Sequence, residues 1–195
     1  MPFYRKFHNH EAGLSLIELL MTAAIIAFIS AVLLARHNQF SGSILITNLA
    51  YEMALSVRQA QVYGLASRES PVGGGFTIGY GVHFESTNPT YFIFFADLNG
   101  NHRYDGGGEL IERYDIRYGN QLSNLCATQS GGTVECSSSG AINYIDISFL
   151  RPNPDAFMRT SNFAGTYRSL QLSVVSPQGV TRSVSVYSTG QISVQ

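Results

Sequence analysis

A single apolar segment near the N-terminus constrains this 195-residue chain more than any other feature. Between Leu14 and Ala35 the one charged residue is Glu18. A helix rises about 1.5 Å per residue, so a segment of this length just crosses a bilayer core about 30 Å thick. An acidic residue at the centre of a membrane helix is unfavourable by roughly 2.5–3.5 kcal/mol, so Glu18 is a candidate functional residue.

The residues on either side of the segment predict its orientation. Arg5 and Lys6 precede it, and the positive-inside rule keeps that end in the cytoplasm and exports everything after Ala35. A secretory signal peptide is the alternative, because it also begins with basic residues followed by an apolar stretch. Its cleavage site needs small residues, and residues 31–35 provide a loose match. The sequence favours a membrane span over residues 14–35.

The start of the apolar segment carries a specific motif. Residues 13–20 read GLSLIELL, which resembles the class III leader junction of type IV pilins and type II secretion pseudopilins. The resemblance implies that a prepilin peptidase cuts between Gly13 and Leu14 and methylates the new amine of Leu14. Residues 1–13 would then be the leader, and Glu18 would be the acidic fifth residue of the mature chain. The family's usual first residue is Phe, from which Leu14 departs.

The same resemblance suggests a role for Glu18 in assembly. A buried carboxylate is tolerated when a cation meets it. In the pilin family this glutamate is thought to pair with the N-terminal amine of a neighbouring subunit, so that assembly neutralises a charge that is unpaired in the membrane. The alternative is that Glu18 lies near the cytoplasmic face, where its side chain reaches water and has no further role.

Beyond the span the pattern predicts an α+β fold. Residues 36–69 continue as an amphipathic helix ending at about residue 67, with one apolar stripe facing a sheet. Its residues are Ile46, Leu49, Met53, Val57, Ala60 and Gly64. Residues 70–195 are predicted to form an antiparallel β domain. The predicted strands cover residues 76–85, 91–97, 109–118, 142–150, 169–176 and 182–188.

Three further segments narrow the resemblance. Residues 51–70, 94–111 and 173–194 resemble the helix, the central hairpin and the terminal hairpin of GspH/FimT-type minor pilins and pseudopilins. The resemblance implies a pilin-like fold, with a long N-terminal helix packed on the β domain and its first half in the membrane. It places the protein in the bacterial inner membrane by a single span, with the C-terminal domain outside the cytoplasm, before incorporation into a filament.

Cys126 and Cys136 are the two cysteines of the chain. If the region after the span is exported, they lie in an oxidising compartment that favours a disulfide. Closing a loop of this size contributes up to about 3 kcal/mol in the chain-entropy description. A zinc site is the alternative, but no His or further Cys lies nearby to complete four ligands.

The sequence predicts no enzyme and requires no cofactor, because it contains no GxSxG, HExxH or phosphate-loop motif. One polar loop suggests a possible Ca²⁺ site. Asp97, Asn99, Asn101 and Asp105 occupy positions one, three, five and nine, a spacing used by calcium loops, and Glu109 follows. The glycine comes at position four instead of six, and Glu109 at thirteen instead of twelve. The alternative is a β-hairpin tip in which these residues supply turn geometry.

These observations predict a structural subunit, a minor pilin or pseudopilin at or near a filament tip that helps to initiate assembly. Its expected partners are other subunits of the same filament, the prepilin peptidase and the inner membrane. The alternative is a binding module at that tip, for DNA uptake or surface adhesion. DNA is the less favoured ligand, because the C-terminal region offers only Arg168 and Arg182 for phosphate contacts.

Overall fold

Helix α1 begins at Leu16 and ends at Leu65 in a computed structural model of the chain. The structure describes residues 13, 15–66, 70–73, 75–162 and 166–195, and the side chains of 35–41 are outside that description. The chain divides into two compact units, Met1–Phe40 and Ser41–Gln195. In the first unit, Leu16–Leu34 is a helix long and apolar enough to cross a membrane, and none of it is buried within the chain.

The part of α1 in the second unit follows the predicted stripe. Every residue of that stripe is buried, since the spacing of three or four places all of them on one side of the helix. Tyr63 packs edge-on against Tyr80 and Phe94, with ring centroids 5.6 and 5.7 Å apart. The predicted packing of this helix segment against a sheet is therefore confirmed.

Ten strands follow α1 within the described residues, together with a short 3₁₀ helix, Ser137–Ser139. Those that match sequence-predicted strands are β1 (Gly79–Glu85), β2 (Tyr91–Asp97), β3 (Leu110–Asp115), β6 (Tyr144–Leu150), β8 (Tyr167–Val175) and β9 (Thr181–Tyr187). Those that the sequence prediction missed are β4 (Gln121–Gln129), β5 (Val134–Cys136), β7 (Asn153–Thr160) and β10 (Ile192–Val194).

The strands form two five-stranded sheets whose strand pairs are antiparallel. Sheet A has the order β3-β2-β1-β6-β7, and sheet B the order β10-β9-β8-β4-β5. One buried cluster joins the α1 stripe, the inner face of sheet A and one face of sheet B. The predicted α+β class, with an apolar N-terminal helix and antiparallel sheets, is confirmed.

Strand β7 begins within the segment RPNP, residues 151–154, whose composition is typical of a turn. Asn153 and Pro154 already belong to β7, which is an edge strand of sheet A. Proline is tolerated at a sheet edge, because its missing N–H removes no ladder bond on the outer side. The polar and proline-containing start of β7 therefore resembled a turn in sequence.

Candidate functional site

The predicted processing junction lies at the start of α1. Gly13 is exposed, and Leu14 falls outside the described residues. The carbonyl oxygen of Ser15 accepts hydrogen bonds from the backbone N–H groups of Glu18 and Leu19, at 3.0 and 3.1 Å. Glu18 therefore lies in the first turn of the helix, where the partial positive charge of the unpaired N–H groups favours a carboxylate.

The helix that follows Glu18 is apolar on all sides. Its large apolar side chains are exposed around the whole helix, and none of the segment Leu16–Leu34 is buried within the chain. An all-round apolar helix is stable in lipid or when buried by other helices, and not in water. By length and composition this segment can serve as a single membrane span or as a signal sequence, the two alternatives that the sequence left open.

The second candidate site is the polar loop between β2 and β3. Asp97 ends β2 and is buried, and its carboxylate caps the loop. Oδ1 accepts the backbone N–H groups of Gly100 and Asn101 at 2.8 and 3.0 Å. Oδ2 accepts the backbone N–H of His102 at 2.9 Å. Asp97 is therefore a buried capping residue and not an exposed residue of a hairpin tip.

Asn99, Asn101 and Asp105 form a second layer in this loop. The Oδ1 atoms of the two asparagines accept backbone N–H groups, which turns both amide nitrogens toward Asp105. The Asp105 Oδ2 atom then accepts Asn99 Nδ2 at 2.8 Å and Asn101 Nδ2 at 2.5 Å. These hydrogen bonds, from Asn99 first and then Asn101, lower the pKa of the Asp105 carboxyl.

Glu109 closes the loop from its far end. Its buried carboxylate accepts the backbone N–H of Leu98 at 3.1 Å through Oε1 and that of Asp105 at 2.9 Å through Oε2. The five predicted ligand residues thus lie together in one loop. Their carboxylates, however, accept hydrogen bonds from backbone N–H groups and asparagine side-chain amides.

This pattern gives each of the five residues a role without a cation. Within the part of the chain that the structure describes, no three His, Cys, Asp or Glu side chains form a metal-holding group. The hydrogen bonds favour the turn alternative, and calcium binding stays a hypothesis.

The polar loop folds back over the outer face of sheet A. His102 stacks on Phe157 of β7, with ring centroids 3.8 Å apart and planes at 4°. Tyr104 packs against His83 of β1 and Phe95 of β2, at 5.1 and 5.7 Å. The loop is therefore a cover on the sheet and not a projecting tip, which explains why Asp97 and Glu109 are buried.

Beneath this loop lie two rows of residues, each made of direct partners on neighbouring strands of sheet A. One runs Phe95, Gly81, Ser148 and Phe157, and Gly81 is required because a Cβ there would lie 2.6 Å from the Phe95 ring and 2.7 Å from a backbone oxygen. The other runs Ile93, His83, Asp146 and Arg159.

A buried His–Asp pair occupies the second row. His83 Nδ1 lies 2.7 Å from Asp146 Oδ1, and the Asp146 side chain has no exposure to solvent. Burial raises the pKa of the Asp146 carboxyl, although His83 and the backbone of Tyr104 act in the opposite direction. This pair is not among the functional residues predicted from the sequence. Its signal is one ionisable residue within each of two otherwise apolar strand cores.

The side chains of Asp97, His102 and Ser148 meet, but they do not form a catalytic relay. His102 Nδ1 lies 3.2 Å from Ser148 Oγ and 3.5 Å from Asp97 Oδ2. A Ser–His–Asp relay uses the two ring nitrogens separately, one for the acid and one for the nucleophile. Here both neighbours face the same nitrogen. Burial also lowers the pKa of His102, more than nearby Asp97 raises it.

The remaining predicted residues lie apart from this loop. Cys126 and Cys136 are directly opposite each other on β4 and β5 and form the predicted disulfide, which ties edge strand β5 to sheet B. Arg182 donates hydrogen bonds to Thr47 Oγ1 and the Thr181 carbonyl oxygen. Its guanidinium is thus engaged within the fold.

Comparison of the chain with protein-family models, curated proteins and solved structures gives no match.

Proposed function

We propose that this chain is a minor pilin or pseudopilin, a structural subunit that helps to initiate a type IV pilus or a type II secretion pseudopilus at its tip. The observation that carries the proposal is the placement of the GLSLIELL motif. Residues 16–20 of this motif begin helix α1, and among the described residues none of the apolar segment Leu16–Leu34 is buried. We propose a structural role and not a catalytic one.

The exposed helix supports assembly as the function. The side chains of Leu16, Ile17 and Phe28 are each more than two-thirds exposed, and the other large apolar side chains of the segment Leu16–Leu34 are exposed as well. Lipid surrounds such a helix in the monomer, and the helices of other subunits would surround it in a filament. Both environments satisfy the same surface, so a subunit can move from one to the other without refolding.

Glu18 supports the same proposal. It is the sole acidic residue in the first turn of α1 and the sole charge of the apolar segment. Cleavage after Gly13 would leave a positively charged amine on Leu14. In a neighbouring chain this amine would lie at a depth similar to that of Glu18. Pairing the two charges in an apolar environment fixes the register between neighbours.

The fold is compatible with this function. The second unit carries its own core of helix and two sheets, with a disulfide suited to an exported domain. It therefore supplies a folded head for the apolar segment, which is the organisation that a filament subunit needs.

The test is incorporation of Glu18→Ala into filaments. Removing the carboxylate makes the segment a better membrane helix, so insertion is preserved. We expect normal membrane levels and a large loss from sheared filaments. Thr22→Ala is the matched control, because it removes a polar group from the same exposed face of helix, where Thr22 bonds only the Leu19 carbonyl in the described residues. Equal recovery of Glu18→Ala and wild type in filaments would contradict a role for Glu18 in fixing the register between subunits.

A further inference from the structure

A small pocket opens beside the polar loop that covers sheet A. Its volume is about 250 Å³, and the described residues that line it are Asn101 and Arg103 of the loop, Tyr144 of β6, and Arg159 and Thr160 of β7. Arg103 and Arg159 are the charged residues among them, so both charges that line this arginine pocket are positive.

An aromatic ring orients Arg103. Its guanidinium carbon lies 5.2 Å from the centre of the Tyr144 ring, a distance at which a cation is attracted to the ring face. The Tyr144 ring is itself packed near His83, with ring centroids 5.7 Å apart. A guanidinium that lies on a packed ring is preorganised, so it loses less conformational freedom when it binds an anion.

Two carboxylates lie close by, and neither lines the arginine pocket. Asp105 Oδ1 is 3.6 Å from Arg103 Nε, which is longer than a hydrogen bond, and Asp105 Oδ2 accepts two asparagine amides of the loop. Asp146 has no exposure to solvent, and its Oδ1 is paired with His83. Both carboxylates therefore have partners outside the pocket, which among the described residues is lined by positive charge alone.

The donors of the arginine pocket match a phosphate monoester. Guanidinium groups bind phosphate through paired N–H groups, and Tyr144 offers a hydroxyl as a third donor. Burial raises the pKa of that hydroxyl, more than nearby Arg103 lowers it, so it keeps its proton. A phosphate monoester carries a charge of about −1.5 to −2 at pH 7. It therefore balances two arginines, which a carboxylate or a phosphate diester, with one negative charge, does not.

We propose that the arginine pocket binds a phosphate monoester, with Arg103 and Arg159 as its charged ligands. The pocket lies on the outer face of sheet A, so this inference goes beyond the proposed role in filaments and does not depend on it. The phosphate is either free in solution or part of a lipid headgroup, and the groups that recognise it are the same in both cases.

Binding of monomethyl phosphate to the full-length chain in detergent tests the proposal. At neutral pH and constant ionic strength, a concentration about ten times the Kd should raise the Tm by about 3–6 °C. Dimethyl phosphate has one negative charge and should bind about tenfold more weakly or worse, because it loses a charge-assisted contact. An unchanged Tm in about 10 mM monomethyl phosphate, or equal affinity for the two phosphates, would overturn the proposal.

Variants of the two arginines locate the binding site. Arg103→Gln and Arg159→Gln should each weaken binding of monomethyl phosphate by about tenfold or more, because each removes charged donors. Arg103 has a side chain that is 52% exposed, so its replacement leaves the fold intact. Arg117→Gln removes an exposed arginine that does not line the pocket, and it should bind as the wild type does. Wild-type affinity in Arg103→Gln, or an equal loss in Arg117→Gln, would contradict the assignment.

A short-chain phosphatidic acid distinguishes the two sources of the phosphate. Dihexanoyl phosphatidic acid carries a phosphate monoester on a lipid, and dihexanoyl phosphatidylcholine is the matched diester. If the ligand is a lipid headgroup, phosphatidic acid should bind about tenfold more tightly than monomethyl phosphate, because its chains add apolar contact. Equal affinity for these two identifies a free phosphate. Phosphatidylcholine that binds as tightly as phosphatidic acid would overturn recognition of the monoester.

Discussion

Asp97 determines the path of the loop that covers sheet A. Three backbone N–H groups converge on its buried carboxylate, and Glu109 accepts two more from the other end of the loop. Neither role follows from loop composition, because Asp and Asn occur in exposed turns for reasons of backbone geometry alone. The burial that distinguishes the two cases comes from Tyr104 and His102 packing on the sheet.

Replacing Asp97 should therefore be costly. Asp97→Ala removes the acceptor of the Gly100, Asn101 and His102 backbone N–H groups, and we expect a loss of about 2 kcal/mol in the free energy of unfolding. Asp105→Ala, at a more exposed position, should cost under about 1 kcal/mol. Thermal melting of both variants measures the difference, and equal melting temperatures would contradict the capping role of Asp97.

The same melts test calcium. An ion at 100 times its dissociation constant stabilises a fold by about 2.7 kcal/mol, and exported calcium sites can need millimolar ion. The hydrogen-bond pattern predicts equal melting of the wild-type chain in millimolar calcium and in chelator. A calcium-dependent rise that Asp97→Ala abolishes would establish the metal site instead.

At the scale of elements, His83 and Asp146 join β1 to β6 beneath the cover. The two residues are direct cross-strand partners, and their side chains lie on the face away from α1. Burial raises the pKa of the Asp146 carboxyl. The protonation state of this pair should therefore affect the stability of the contact between β1 and β6.

The sign of the pH dependence follows from that shift. The folded chain holds the Asp146 proton more tightly than the unfolded chain, whose carboxyl titrates near pH 3.9. Between that pH and the raised folded pKa, the Asp146 contribution to stability therefore falls as pH rises. Asp146→Asn keeps an acceptor for His83 but cannot ionise. Between pH 4 and pH 7, the melting temperature of the variant should increase relative to that of the wild type as pH rises. A constant difference between the two melting temperatures would contradict the raised pKa of Asp146.

At the scale of the whole molecule, the periodicity of apolar residues predicted the elements that form the core. The spacing of Ile46, Met53 and Val57 identified the buried side of α1, and alternating β-branched and aromatic residues identified six strands. Cys126 and Cys136 were paired correctly because they are the two cysteines of the chain and follow a segment that predicts export. These features are local, so they are visible along the chain.

The missed features depend on contacts between distant residues. Strand β4 (QLSNLCATQ) is interrupted by polar residues, and β7 contains Pro154, so both lacked the usual strand pattern. The order of sheet A, which places β6 beside β1, is set by packing across more than 50 residues of sequence. The cover over His83 and Asp146 follows from that order and could not be predicted before it.

The central claim concerns the N-terminus, and intact-mass measurement tests it most directly. The chain would be expressed with a prepilin peptidase and purified from membranes. The account predicts a mature chain that begins at Leu14, lacking the first 13 residues and carrying one added methyl group. An unprocessed chain, or one cleaved near Ala35 as by a signal peptidase, would contradict the assignment to the pilin class.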